Sequence, residues 1–316
     1  MKKITEKMKL CKTKTISLVI AVANRVLNEL DFVKTIDENT TFSEEHCHLS
    51  PGQRAKAFVL ATMTDIRVPL THLRERTEEM DLEYLLGTDY NKCGINAFNM
   101  GRALDDIGEK NVNHIYETLT MAALKKYEIP VACTHSDTTT VSFHGEYDID
   151  KLDLSDEEKA EILKIEKGYN KDGRPGDKQL VVGQIVTDTG IPVTSRALDG
   201  ATSDVEWNKI AIEHYKNLQT HGIEPCPYVA DCKLVTQELV ETMNAPDSKI
   251  PFVSRCPDNF NDSQANRAKK RAYTADDWAE FGQVSSRKGA SAYRGFSLTE
   301  TVFGTPMRLL VLESTT

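Results

Sequence analysis

The chain has 316 residues, 40% of them hydrophobic, and a formal net charge of −9, enough material for a real core and two or three structural units. No run approaches the roughly 18 apolar residues of a membrane span, and the nearest stretch, 16–26, is interrupted by Asn24 and Arg25. The basic start Met1-Lys2-Lys3 lacks the apolar core and cleavage site of a signal peptide, and seven cysteines without a Cys-x-x-Cys pair point to free thiols in a reducing cytoplasm.

In chain order, Val19, Val22, Val26, Leu30 and Val33 recur at three- and four-residue steps, which predicts one amphipathic helix over 15–34 and a loop at 37–41. Glu45-His46-Cys47-His48 has ligand-type side chains but no second Cys/His pair at zinc spacing, so a surface strand or loop is expected there. Ser50-Pro51-Gly52-Gln53 opens a helix, with Ser50 as N-cap and Pro51 at the first helical position. Helical patterns follow at 70–79, 96–107 and 112–127. The first 128 residues therefore form a mainly helical domain.

From Ile129 the pattern turns to strands. Ile129-Pro130-Val131 reads as a strand entry, which puts residues 131, 133, 135 and 137 on one face with Asp137 at the strand's end. Alone, such an aspartate is a turn or cap. A second strand, Pro227-Tyr228-Val229-Ala230, also ends in an acid, Asp231. Two strand-end carboxylates that meet across adjacent strands, with no obvious basic partner, suit a hard divalent cation. Between them lie strands at 178–187 and 191–198, joined by the turn Asp188-Thr189-Gly190, then a helix over 205–220. Asp199, Gly200 and Asp204 read as a turn plus helix N-cap rather than ligands. A helix over 233–243 and a strand over 251–255 follow. Strand, hairpin, helix, strand, helix, strand is the ribonuclease-H-like α/β order, in which strand-end carboxylates bind catalytic metals. The fold class expected is thus α/β: a helical N-terminal domain (1–128), a ribonuclease-H-like mixed sheet core (129–256), and a strand-containing insertion (257–316) with a basic helical piece at 267–271 and strands at 297–302 and 307–313.

Net charge does not exclude nucleic acid. Eight acids against Lys151 and Lys159 crowd into 146–161, and without that segment the chain is nearly balanced, so local basic patches decide phosphate binding. Lys171, Arg174 and Lys178 flank glycines and a proline on a loop that reads either as a phosphate contact or as a solvated loop. Gly168, Gly173 and Gly176 make no Walker loop, since no Gly-Lys-Ser/Thr follows. The Arg267–Arg271 cluster is either a DNA contact or a solvated face.

With these residues placed, the sequence resembles a DDE-type transposase of bacterial insertion sequences, in the branch with a helical domain before a ribonuclease-H-like core. The resemblance rests on His135-Ser136-Asp137-Thr138-Thr139-Thr140-Val141-Ser142-Phe143-His144-Gly145, Gly168-Tyr169-Asn170-Lys171-Asp172-Gly173-Arg174-Pro175 and the run 179–183. It continues through Asp199-Gly200-Ala201-Thr202-Ser203-Asp204, Val229-Ala230-Asp231 and Phe252-Val253-Ser254-Arg255, with Leu49-Ser50-Pro51-Gly52 and Tyr84-Leu85-Leu86-Gly87 in the first domain. It implies Asp137 and Asp231 as the first two catalytic, metal-binding acids, with Mg2+ (or Mn2+ in its place) as cofactor. It also implies Lys171, Arg174, Lys178 and Arg255 on DNA, terminal inverted repeats and target DNA as double-stranded partners, and a homodimer on paired ends. The first domain would bind the DNA end or dimerise.

The implied chemistry is phosphodiester hydrolysis at the element's end and attack of the freed 3′-OH on target DNA. The family's third acid is a Glu on a helix beyond the insertion. Glu280, Glu300 and Glu313 are the late glutamates here, none in a helical pattern after the insertion, so the chain reads as truncated before that acid. The alternatives are a non-catalytic DNA-binding or dimerising remnant and a host nuclease on the same fold.

Overall fold

The computed structural model describes residues 16–314 apart from 44–47, 64–68, 79, 89–94, 109–111, 172, 175, 221–223, 247, 257–261, 284 and 286–288. The chain divides into two compact units, Met1–Pro130 and Val131–Thr316.

In the first unit, the single helix expected over 15–34 is two: α1 (Leu18–Glu29) and α2 (Phe32–Glu38). Between them Asp31 takes a left-handed φ of 51°, which short polar side chains tolerate better than most. Asp37 and Glu38, expected in a loop, belong to α2, and Asp37 Oδ1 accepts from Gly52 N at 2.8 Å. A Cβ at position 52 would stand 2.5 Å from the Val33 carbonyl oxygen, so glycine is what lets α2 touch α3 (Pro51–Thr62). Ser50 caps α3 in a full capping box with Gln53, two otherwise orphaned N–H groups being satisfied reciprocally. Then come α4 (Leu73–Glu78), α5 (Leu82–Leu86), α6 (Ala97–Gly108) and α7 (Val112–Lys126). Leu49, Leu60, Leu73, Leu82, Leu85 and Met100 form the core. Within it, buried Lys56 donates to Asn28 Oδ1 at 2.6 Å and to the Leu85 carbonyl at 2.8 Å, and burial pushes its pKa down.

The second unit is built on a five-stranded mixed sheet in the order β3-β2-β1-β4-β5, formed by β1 (Thr134–Phe143), β2 (Lys178–Thr187), β3 (Pro192–Leu198), β4 (Tyr228–Ala230) and β5 (Phe252–Ser254). The first three are antiparallel neighbours, and β4 and β5 run parallel to β1. This is the ribonuclease-H-like core. Between β1 and β2 the acidic segment carries the short helix α8 (Asp156–Glu161), capped by Ser155. Helix α9 (Asp204–Thr220) lays Trp207 on the sheet, where its ring fills the place of a side chain at Gly183: a Cβ there would be 2.3 Å from the indole. Tyr215 and Tyr228 meet edge to face beneath it at 5.6 Å, and burial pushes the Tyr215 hydroxyl up to about 12.

Two boundaries differ from expectation. β1 starts at Thr134, not near Ile129, so its faces alternate with Thr134, Ser136, Thr138 and Thr140 buried and His135, Asp137, Thr139 and Val141 exposed. Asp137 is therefore within the strand and not at its end. The helix expected over 233–243 is a 3-10 turn (Cys232–Leu234) followed by α10 (Gln237–Met243), because Asp231 caps the turn and Thr236 caps the helix. After α11 (Asp262–Ala275) an antiparallel three-stranded sheet forms from β6 (Ala279–Gln283), β7 (Ala292–Val302) and β8 (Thr305–Ser314). Its first strand was not expected. Ala268 and Ala272 of α11 are buried, and Arg271 reaches Glu300 at 2.6 Å.

Candidate functional site

Backbone hydrogen bonding along β1 defines one side of the site. Thr134 N donates to Pro227 O at 3.0 Å, so the even-numbered residues of β1 aim their backbone groups towards β4. β4 is short: only Thr134 and His135 have partners in it, Tyr228 and Val229. Beyond that point the β1 edge is open, and buried backbone groups still need partners. Thr138 N donates to Asp137 Oδ1 at 2.7 Å, and the Thr138 carbonyl accepts from Lys171 Nζ at 2.8 Å.

The register explains which residues gather. Carried two residues past its last pair, the β1–β4 register sets Asp137 beside Asp231. The β4–β5 register (Tyr228 with Phe252, Ala230 with Ser254), carried one residue further, sets Asp231 beside Arg255. Paired residues of parallel strands point to the same face, and all three are exposed. Asp137, Asp231 and Arg255 thus hold corresponding register positions just beyond the paired residues of β1, β4 and β5. Asp231 Oδ1 accepts from Lys233 N at 3.0 Å, and Ser254 Oγ donates to the Asp231 carbonyl at 2.7 Å, which fixes the backbone on which that carboxylate stands.

Lys171 joins from the loop between α8 and β2. Its ammonium lies 3.4 Å from Asp137 Oδ1 and 3.5 Å from Asp204 Oδ1, and donates to Thr138 Oγ1 at 2.6 Å. The same hydroxyl donates to Asp204 Oδ1 at 2.6 Å. The loop is held by buried Gln179, which donates to the Tyr169 and Gly200 carbonyls at 3.2 and 2.8 Å and accepts from Asn170 at 3.0 Å. A Cβ on Gly168 would fall 2.0 Å from the Gly200 carbonyl oxygen, so the loop reaches the sheet only through glycine.

Arg174 is exposed on that loop, its N–H donating to Asn170 Oδ1 at 3.1 Å. Lys178 is elsewhere: its ammonium is taken by the Glu146 and Tyr147 carbonyls. Asp204, read from sequence as the N-cap of α9, is its first helical residue. The cap is Ser203, which forms a capping box with Glu206: Ser203 Oγ accepts from Glu206 N, and Ser203 N donates to Glu206 Oε2 at 2.8 Å. That Ser-x-x-Glu spacing was in the sequence and frees Asp204 from capping. Among the late glutamates, Glu300 pairs with Arg271 and Glu313 with Arg294 and Tyr273, while Glu280 stands on the exposed β6. Of the His/Cys run at 45–48, Glu45, His46 and Cys47 lie outside the described residues.

The donors at the β4 end are hard oxygens. Mg2+ keeps several waters and needs only one or two carboxylates beside substrate phosphates, and a side-chain cation already rests against Asp137 and Asp204. Hard-oxygen donors of this type are the ones that Mg2+ and Mn2+ prefer. Among the described residues no group of three His, Cys, Asp or Glu side chains is close enough to hold a metal ion by itself. Nor is any described helix long and apolar enough to cross a membrane.

Residues 11–121 match the family model described as "Domain of unknown function (DUF4277)". No curated protein matches. Among solved structures, the chain is similar at 10% identity to a piggyBac transposase synaptic complex with hairpin DNA (TM-score 0.41, 92% of this chain and 60% of that one). It is also similar, again at 10% identity, to a Mos1 transposase paired-end complex with left transposon end (TM-score 0.26, 85% of this chain and 78% of that one). A Mos1 mariner paired-end complex with Mn gives 10% identity and a TM-score of 0.24, over 87% of this chain and 85% of that one. The chain thus spans about 60% of the piggyBac chain's length. Scores this low assign no activity.

Proposed function

We propose that this chain is a DDE-type transposase of an insertion sequence, which cuts and transfers DNA strands by metal-dependent phosphoryl transfer, with Asp137 and Asp231 as its first two metal-binding acids. The observation that carries the reading is the shared register of Asp137 and Asp231 on one exposed face at the open end of β4. The sequence motifs around both residues support it independently.

In this reading the chain's residues do little covalent work. Asp137 and Asp231 would hold Mg2+ or Mn2+ from adjacent strands, and Arg255 would meet the phosphate backbone together with Arg174 on the flanking loop, whereas the ammoniums of Lys171 and Lys178 are engaged within the protein. Bound divalent cations supply a more acidic water and neutralise charge as the phosphodiester breaks. The partners are double-stranded DNA, the element's terminal repeats and a target, with two copies of the chain on paired ends. Arginine suits the backbone contact because its planar fork binds phosphate oxygens bidentately.

The test is nicking of a supercoiled plasmid that carries the DNA flanking the gene, in Mg2+ or Mn2+. Wild-type protein is expected to nick, and Asp137→Ala and Asp231→Ala each to lower the rate by about a hundredfold or more. Nicking that survives both substitutions would remove the assignment. A second reading, a DNA-binding remnant without catalysis, is favoured because among the described residues no three His, Cys, Asp or Glu side chains are grouped so that they could hold a metal ion. It predicts specific retention of the flanking DNA with no nicking by wild type.

A further inference from the structure

Lys171 was expected to touch DNA, yet its ammonium is engaged within the protein. We infer that Lys171 is a tethered counter-cation: in the metal-free protein it holds Asp137 and Asp204 together, and it must swing away when a divalent cation binds, so that it sets the affinity of the site. This rests on the proposed reading of Asp137 as a metal-binding acid.

Four contacts carry the inference. Lys171 Nζ is 3.4 Å from Asp137 Oδ1 and 3.5 Å from Asp204 Oδ1, and donates to both the carbonyl and the hydroxyl of Thr138, at 2.8 and 2.6 Å. Three donors facing four oxygens leave the ammonium well satisfied. Its side chain is only 31% exposed, as is that of Asp204, while Asp137 is 83% exposed. The lysine therefore neutralises the inner carboxylate and leans on the outer one, which remains open to solvent and to an incoming cation.

The loop itself need not move. Gln179 and Asn170 hold the backbone at Tyr169 and Arg174, and Asn170 also donates to Ser142 Oγ at 3.0 Å. Four methylenes give Lys171 the freedom to leave while its Cα stays in place. Metal and ammonium compete for Asp137 Oδ1, because two cations within about 4 Å of each other repel strongly. Once displaced, the ammonium remains near the substrate side of the site, where a phosphate can receive it. Lys171 is a positioning residue in this scheme, acting through Asp137 and Asp204.

The experiment is Mn2+ binding to the full chain without DNA, followed by electron paramagnetic resonance, for wild type, Lys171→Met, Lys171→Arg and Asp137→Asn. Lys171→Met is expected to bind Mn2+ about five- to twentyfold more tightly than wild type, Lys171→Arg to return to within about twofold of wild type, and Asp137→Asn to bind weakly. Intrinsic fluorescence of the two tryptophans, of which Trp207 is bonded to Ser136 in β1 at 3.0 Å, checks that the variants are folded. In a second measurement, lysines are 13C-methylated and the Lys171 resonance is assigned by its loss in Lys171→Met. Mg2+ should move it in wild type and leave it in place in Asp137→Asn. Mn2+ affinity that is unchanged or weaker in Lys171→Met, with binding still dependent on Asp137, overturns the counter-cation and leaves the metal site standing. No Asp137-dependent binding in any of these chains overturns both.

Discussion

Gln179 is fully buried in β2, and its amide is the junction through which the Lys171 loop is tied to the sheet. It serves the carbonyls of Tyr169 and Gly200 and the side chain of Asn170 at once. Gln179→Ala removes the donor to both carbonyls, of which the one at Gly200 is buried, and an unmet buried group costs about 1–3 kcal/mol. Urea unfolding should show a loss of that size. The same variant loosens the anchor of Lys171, so its Mn2+ affinity should rise in the direction of Lys171→Met, by a smaller factor. An unchanged unfolding midpoint would mean that other loop contacts suffice. None of this was legible in the sequence, where Gln179 is one polar residue in a β-rich run. Its role depends on Gly168 and Gly200 meeting backbone to backbone, a contact that local pattern does not encode.

At the scale of elements, α9 shows how a cap can hold a site. Glu206 accepts from Ser203 N and from its hydroxyl, and these hydrogen bonds hold its carboxyl below the ordinary glutamate range. A folded-state pKa below the unfolded one means stability that is present above the unfolded value and is lost as pH falls through the folded value. The window therefore opens below pH about 4.3. Ser203→Ala should cost about 1 kcal/mol at neutral pH and raise the Glu206 pKa, read by NMR titration of the carboxyl carbon. It should leave α9, and with it Asp204, less firmly set.

Most elements were readable because their signals are local: Ser50-Pro51 at the start of α3, the 188–190 turn between β2 and β3, the alternation within β2. β1 was misplaced for a physical reason. Its buried face is Thr134, Ser136, Thr138 and Thr140, hydroxyl side chains where an apolar row is expected. Two of these are matched across the chain, Ser136 to Trp207 and Thr138 to Asp204. Long-range hydrogen bonds thus do what side-chain hydrophobicity does in β2, and no periodicity rule sees them. The first strand of the second sheet was missed for a related reason: all five residues of β6 are exposed, so it carries no buried row to read.

Across the whole molecule, the two candidate acids were found as separate motifs, and it is strand register that gives them corresponding positions on β1 and the end of β4. They are unequally supported. Asp137 sits inside a ten-residue strand paired with β2 along its full length, while Asp231 follows a three-residue strand and turns at once into a 3-10 turn. Opening free energies differ along a fold in this way, from near zero at lightly bonded segments to the global value in long ladders. The consequence is a pincer with one fixed jaw. Amide hydrogen exchange should find β1 among the slowest segments of the second unit and 231–236 among the fastest, and Mn2+ should slow the second while leaving the first as it was. Equal protection of the two segments in the metal-free chain would mean that both jaws are rigid, and that the distance between the carboxylates is already set before any ion arrives.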